Sequence, residues 1–364
     1  MSKPERGVLR NPPVRATALI AVAALVGGIL AGCTAAVGGS ESEDGGTIAL
    51  LLPDAKTARY ETFDRPLFEA RVAELGPYQV LYSNADGDAT KQQQQAESAL
   101  AAGADVLVLD AFDTQAAVSI VLSANAQGVP VISYDRLIAG GELAYYISFD
   151  NELVGDLQAT EFVRALEAEG AGSSGVLLVN GSPTDSNAAQ FKDGARRVIE
   201  ASDLRVLAEY DTPGWSPEKA QEWVAGQIAQ YGDQIAGVYA ANDGVAGGAI
   251  SALKAGNVSP FPVVTGQDAE LAAIQRILTG DQEMTVYKAI RPQAERAAEV
   301  AVALIEGDEF EAPLEIQGTP STLLEPVAVT IDNIMETVVA DGFWSVEDIC
   351  TPALASACDA AGIR

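Results

Sequence analysis

An α/β fold made of two doubly wound parallel-sheet lobes is predicted by three observations. From Thr47 onward, short β-rich apolar runs alternate with amphipathic stretches of helical length. The runs fall into two groups of five, and most of them are followed at once by polar residues. The chain is 364 residues long, 48% hydrophobic and 20% charged, which is enough to fill two cores.

Taken in order, the first element is an export signal at 1–32. It has a basic stretch ending at Arg15, an apolar run from Ala16 to Leu30, and then Leu30-Ala31-Gly32-Cys33, which resembles a bacterial lipobox. Cys33 is the expected lipidation site, holding the protein to the outer face of the cell membrane. A retained membrane span and a plain secretory signal are the alternatives, but the apolar run is short for a span. Residues 33–46, ending VGGSESEDGG, read as a flexible tether. The first strand group is Thr47 to Leu52, Tyr78 to Tyr82, Ala104 to Leu109, Val129 to Tyr134 and Tyr145 to Phe149. Helices are expected between them. Thr90 to Ala102 places Ala96, Ala99 and Leu100 on one face, and Thr114 to Gln127 is stopped by Gly128 and Pro130. The glutamine run Gln92 to Gln95 reads as a solvated helix face. Asp150 to Gly155 lies between the groups and is a first crossover candidate. The second group is Val176 to Asn180, Leu204 to Tyr210, Gly237 to Ala241, Val263 to Gly266 and Glu283 to Lys288.

Composition removes several function classes. The net charge is -29, and the first 32 residues hold four basic residues against one acid, so the remainder is more acidic still. Such a surface repels phosphates, and no nucleic-acid partner is expected. The chain contains no histidine, which removes Ser-His and Cys-His nucleophile pairs and histidine metal sites; no metal and no cofactor is expected. Cys350 and Cys358 lie close together near the C-terminus and are expected to form a disulfide in an exported protein, with two free thiols as the alternative. So short a loop would contribute about 2.5 kcal/mol.

In open α/β sheets, ligands sit beyond the carboxyl ends of the strands. Those positions hold Pro53-Asp54, Asp110-Ala111, Asp135-Arg136, Gly181-Ser182, Asp211 to Trp215, Asn242-Asp243, Gln267-Asp268 and Lys288. A monosaccharide needs carboxylates and amides for its hydroxyls, a cation of opposite polarity, and flat rings against its C–H faces. Asp135, Arg136, Asn187, Asn242, Asp268 and Lys288 supply the polar groups, and Tyr60 and Trp215 the rings. Each has a structural alternative. Asp135 could cap a turn, Arg136 could form a surface ion pair, Asn242 and Asp268 could cap helices, and Trp215 could pack on its own lobe.

The stretches ISYDRLI (132–138), YYISFDNELVGDLQA (145–159), GSPTDSNAAQF (181–191), DTPGW (211–215), ANDGVAGGAISAL (241–253), TGQDAELAAIQRI (265–277) and MTVYK (284–288) resemble the xylose-binding proteins of sugar ABC importers, within the type I periplasmic binding proteins. The resemblance runs from about Thr47 to Ile334. It implies a three-segment hinge, with 47–149 plus 290–320 as the N-terminal lobe and 150–289 plus 321–364 as the C-terminal lobe with its tail. It also implies sugar contacts from Arg59, Tyr60, Asp135 and Arg136 on the first lobe, and from Asn187, Trp215, Asn242, Asp268 and Lys288 on the second. Two positions depart from the pattern. Tyr60 stands where the family often has tryptophan, and Ser186 where it has the first of two asparagines.

The resulting expectation is a monomeric, non-enzymatic receptor that captures D-xylose or a similar monosaccharide and delivers it to an ABC importer permease. The alternatives are a receptor for another aldose (glucose, galactose or arabinose) that also serves chemosensing, and a secreted carbohydrate-active enzyme using Asp135 and Asp268 as acid and base. No G-x-S-x-G nucleophile motif is present.

Overall fold

The computed structural model describes residues 45–364; the signal at 1–32, most of the tether at 33–46 and Cys33 lie outside the described residues. The first sheet contains β1 (Thr47–Leu52), β2 (Gln79–Asn84), β3 (Val106–Leu109), β4 (Val131–Tyr134) and β5 (Tyr145–Phe149). The second contains β6 (Gly175–Asn180), β7 (Arg205–Asp211), β8 (Ile235–Ala240) and β9 (Val263–Val264), in the order β7-β6-β8-β9. All pairings among these nine are parallel. Four more strands follow: β10 (Met284–Tyr287), β11 (Leu314–Ile316), β12 (Thr319–Leu324) and β13 (Val327–Thr330).

All four depart from expectation. β11 and β12 join the first sheet as a hairpin, with β12 parallel to β5, giving the order β11-β12-β5-β4-β3-β1-β2. The first sheet therefore takes in the chain through Leu324. β10 does not belong to the parallel sheet as a full strand; it pairs antiparallel with β13 and touches the second sheet through a single Thr265–Met284 bridge. The expected five-strand second sheet is thus a four-strand sheet with a two-strand ribbon beside it.

The chain crosses between lobes three times, at Asp150, at Lys288-Ala289 and at Glu325-Pro326. The helix Asn151–Ala168 packs on the second lobe, and the helix Ile290–Glu306 returns to the first.

The central strands β1, β3, β4 and β5 are buried on both faces, which explains why they read as unbroken apolar runs. Along β1, Ile48, Leu50 and Leu52 join Val106, Val108, Ile132 and Ile147 in one cluster, under the helices Arg65–Leu75 and Ile290–Glu306. The alternate residues Ala49 and Leu51 join Leu107, Leu109 and Val131 on the other face. The helix expected at Thr90 to Ala102 forms at Ala89–Ala101, capped by Asp88, whose carboxylate accepts from the Thr90 and Lys91 N–H groups. The glutamine run is not simply solvated. Gln92 is 1% exposed, donates to Asp110 O at 2.7 Å and accepts from Phe112 N at 2.9 Å, so it fixes the loop leaving β3.

No helix among the described residues is long and apolar enough to cross a membrane.

Candidate functional site

The loops that leave β1, β4, β6, β7, β8 and β10, together with the stretch beyond β9, meet around one cavity. It is lined by Thr57, Arg59, Tyr60, Asp135, Arg136, Asp185, Asn187, Phe191, Trp215, Asn242, Gln267, Asp268 and Lys288. All nine residues named from the sequence stand on its walls. Sequence reasoning omitted Thr57, Asp185, Phe191 and Gln267 from the candidate residues.

The first-lobe wall is built around a buried guanidinium. Arg59 clamps Asp64 through Nε at 2.9 Å and Nη2 at 2.7 Å, and Nη2 also donates to Gln293 Oε1 at 2.8 Å. Tyr134 donates to the same Asp64 at 2.5 Å. Arg59 Nη1 then reaches Asp135 Oδ1 at 3.2 Å, where Gln293 Nε2 also donates at 3.1 Å. Burial works against the Asp135 charge, but the cations of Arg59, Lys288 and Arg136 outweigh it and hold the carboxyl well below the usual carboxylate range. Asp135 is therefore a fixed anion, an acceptor that has no proton to give.

Arg136 is 3% exposed, so it is not the surface ion pair allowed for above. Its Nη1 donates to Ala111 O at 2.9 Å and its Nη2 to the Tyr60 hydroxyl at 2.9 Å. Tyr60 accepts there and keeps its own proton for another partner. Burial raises the Tyr60 pKa well above its ordinary value, so that proton stays in place.

Contacts cross the gap between the lobes at this wall. Arg136 Nε lies 2.8 Å from Asp185 Oδ2, and Asn187 Nδ2 donates to Asp135 Oδ2 at 3.3 Å. Beside the cavity, the Thr114 N–H donates to Thr184 O at 3.0 Å.

On the second lobe, Asp185 caps the helix Ser186–Ala201 by accepting from the Asn187 N–H at 2.8 Å. Its other oxygen accepts from Trp215 Nε1 at 2.9 Å. Trp215 packs edge-on to Phe191 at 6.3 Å between centroids, so it rests on its own lobe while lining the cavity. Glycine is required at 181, because a Cβ there would lie 2.1 Å from the Trp215 ring. Asn242 does cap the helix Asp243–Ala255, with its Oδ1 accepting from Val245 N at 2.8 Å, which leaves its amide nitrogen to donate. Asp268 caps nothing. The helix expected from Ala269 begins at Leu271, and Asp268 instead pairs with Lys288 at 2.8 Å. The Lys288 ammonium also stands 5.6 Å from the Phe191 ring and 5.8 Å from that of Phe149.

Two properties mark this cavity as built for a ligand. Asn187 Oδ1 and Gln267 Oε1 are buried and have no protein partner, and each such group costs about 1–3 kcal/mol until something donates to it. The backbone is also strained here: Asp135, Trp215 and Asp268 line the wall at φ +62°, +55° and +97°, and Ala269 follows at +50°. Such strain, of order 1–3 kcal/mol per residue, gathers at binding sites. The groups present can donate to and accept from a ring of hydroxyls. No group of metal-ligating residues occurs among the described residues.

Residues 48–309 match the profile of a family described as periplasmic binding protein domain. The chain is 37% identical over 310 residues to the D-xylose-binding periplasmic protein of Haemophilus influenzae, covering 83% of this chain and 91% of that protein. It is 36% identical over 310 residues to the D-xylose-binding periplasmic protein of Escherichia coli, covering 83% and 92%. Among solved structures, an ABC transporter solute-binding protein from Clostridium phytofermentans with bound β-D-glucose superposes with a TM-score of 0.77 at 29% identity, covering 83% of this chain and 99% of that one.

Proposed function

We propose, on the premise that the chain belongs to the periplasmic binding protein family, that it captures D-xylose or a closely related pyranose between its lobes and delivers it to an ABC importer permease. The observation that carries this reading is a cavity walled by both lobes, with Asp135, Asn187, Gln267 and Asp268 as acceptors and Arg136, Lys288 and Tyr60 as donors. The aromatic faces of Tyr60 and Trp215 and xylose-binding relatives at 36–37% identity support a monosaccharide.

Family members of this kind bind solutes and are not enzymes. The charge state of Asp135 agrees, because a general acid needs a raised pKa and this carboxyl is held down. A ligand that touches both lobes at once shifts the hinge toward closure, which is the state a permease would receive. The lipobox-like end at Cys33 supports acyl anchoring outside the cytoplasm, with the protein acting as a monomer.

Isothermal calorimetry with xylose, glucose, galactose, arabinose and ribose tests the reading. Micromolar binding of xylose is expected, and the absence of heat with all five would end the sugar claim. Asp268→Ala should abolish the signal, because it leaves Lys288 buried without its 2.8 Å partner and removes an acceptor from the wall. Mass spectrometry of the mature N-terminus tests anchoring; an unmodified Cys33 would refute it.

A further inference from the structure

The last thirty residues lie beyond the matched family region, which ends at 309, yet they touch the back of the sugar cavity on both lobes. The tail is fixed to the second lobe. Gln275 Nε2 donates to Asp348 O at 3.2 Å, and Ile349, Cys358 and Ile363 pack with Ile274, Ile277 and Leu278. The Cys350–Cys358 disulfide closes its end, and Ser345 and Asp348 form a reciprocal capping box just after Trp344.

From this base, three neighbouring residues reach three segments that carry cavity side chains. The Phe343 ring stacks on Phe63 at 3.9 Å between centroids, and Phe63 sits inside the turn Tyr60–Asp64. Trp344 Nε1 donates to Ala269 O at 2.8 Å, one residue beyond Asp268. Asp341 Oδ2 accepts from the Tyr287 hydroxyl at 2.7 Å, one residue before Lys288. Phe63 and its loop belong to the first lobe, whereas Ala269 and Tyr287 belong to the second.

Building on the sugar reading above, we infer that Asp341, Phe343 and Trp344 are positioning residues, through which the tail sets the Tyr60, Asp268 and Lys288 segments against one another for ligand binding. None of the three lines the cavity. Their effect passes through backbone and neighbouring rings, as outer contacts support inner ones in other preorganised sites.

Trp344→Phe removes the donated hydrogen bond and keeps a ring; Phe343→Ala removes the stack, and Phe343→Tyr restores it. Hydrogen exchange on the protein without added sugar is expected to rise about tenfold at 266–271 in Trp344→Phe and at 59–64 in Phe343→Ala, with the two sheets unchanged. Calorimetry with the sugar that the parent binds is expected to show affinity weakened about tenfold in both, with recovery in Phe343→Tyr. Unchanged exchange in these segments would overturn the inference, as would a uniform rise across the molecule, which would make the tail a mere prop for the fold. Should the parent bind none of the sugars, the sugar reading fails, while the exchange data still decide whether the tail orders these loops. Should Phe343→Ala not fold, Trp344→Phe carries the test.

Discussion

A methyl group added at Gly181 would fall 2.1 Å from the Trp215 ring, so the ring would have to move, and it is held on its far side by Phe191 and by the bond to Asp185. Gly181→Ala is therefore expected to cost about 1–3 kcal/mol of stability and to weaken sugar binding at least tenfold. Thermal melts paired with calorimetry would check this, and unchanged affinity would show that the ring position does not matter. Single residues also mark how far the sequence could be read. Asp135, Arg136, Asn242 and Lys288 were legible because they follow strands directly. Asp185 was not, since it sits in a loop as an ordinary helix cap, and its contact with Arg136 exists only across the gap. Phe191 carried one weak signal, standing four residues after Asn187 on the same helix face.

Among the elements, β1 to β9 were legible because parallel strands leave apolar runs between helices of regular spacing, whereas β10 was legible as a strand but not in its pairing. β11, β12 and β13 were not. They are short, β12 carries Pro320, and β12 and β13 pair with β5 and β10, which lie far away in sequence, so no local pattern announces them. Gln92 misled for a related reason: a polar residue on a helix reads as solvated unless its partner is known, and its partners lie in the loop after β3. Gln92→Ala should leave the Phe112 N–H without its acceptor and Asp110 O without its donor, a loss of about 1–3 kcal/mol. Urea denaturation measures it; a loss below about 0.5 kcal/mol would place the glutamine back among surface residues.

For the whole molecule, buried carboxyls set how stability responds to pH. Burial, and the repulsion of neighbouring carboxylates, push the interacting Asp243 and Glu270 carboxyls above their ordinary values. Both bind protons more tightly when folded, so their contribution is complete below the unfolded carboxylate values near 4 and is lost as pH rises through the folded ones. Asp135 has the opposite sign. Its contribution is present above the unfolded value and disappears as pH falls through its depressed folded one. The melting temperature is thus expected to peak in mild acid, around pH 5, and to decline toward pH 9. Glu270→Gln, neutral throughout, should flatten the alkaline limb. A parent melting curve that is level or rising between those values would contradict this account.

The left-handed residues at the cavity also bear on how such a scaffold could adapt to heat. Three of them, Asp135, Trp215 and Asp268, cannot be exchanged for glycine without discarding the side chain the ligand needs. Ala269 could be, but it is fully buried, and losing its methyl forfeits about 0.8 kcal/mol of burial while freeing the unfolded chain, which roughly cancels the relief. Laboratory selection for hardier variants would accordingly pass over this corner of the molecule and accumulate its changes on outer helices and loops, with the strained ring of backbone inherited intact.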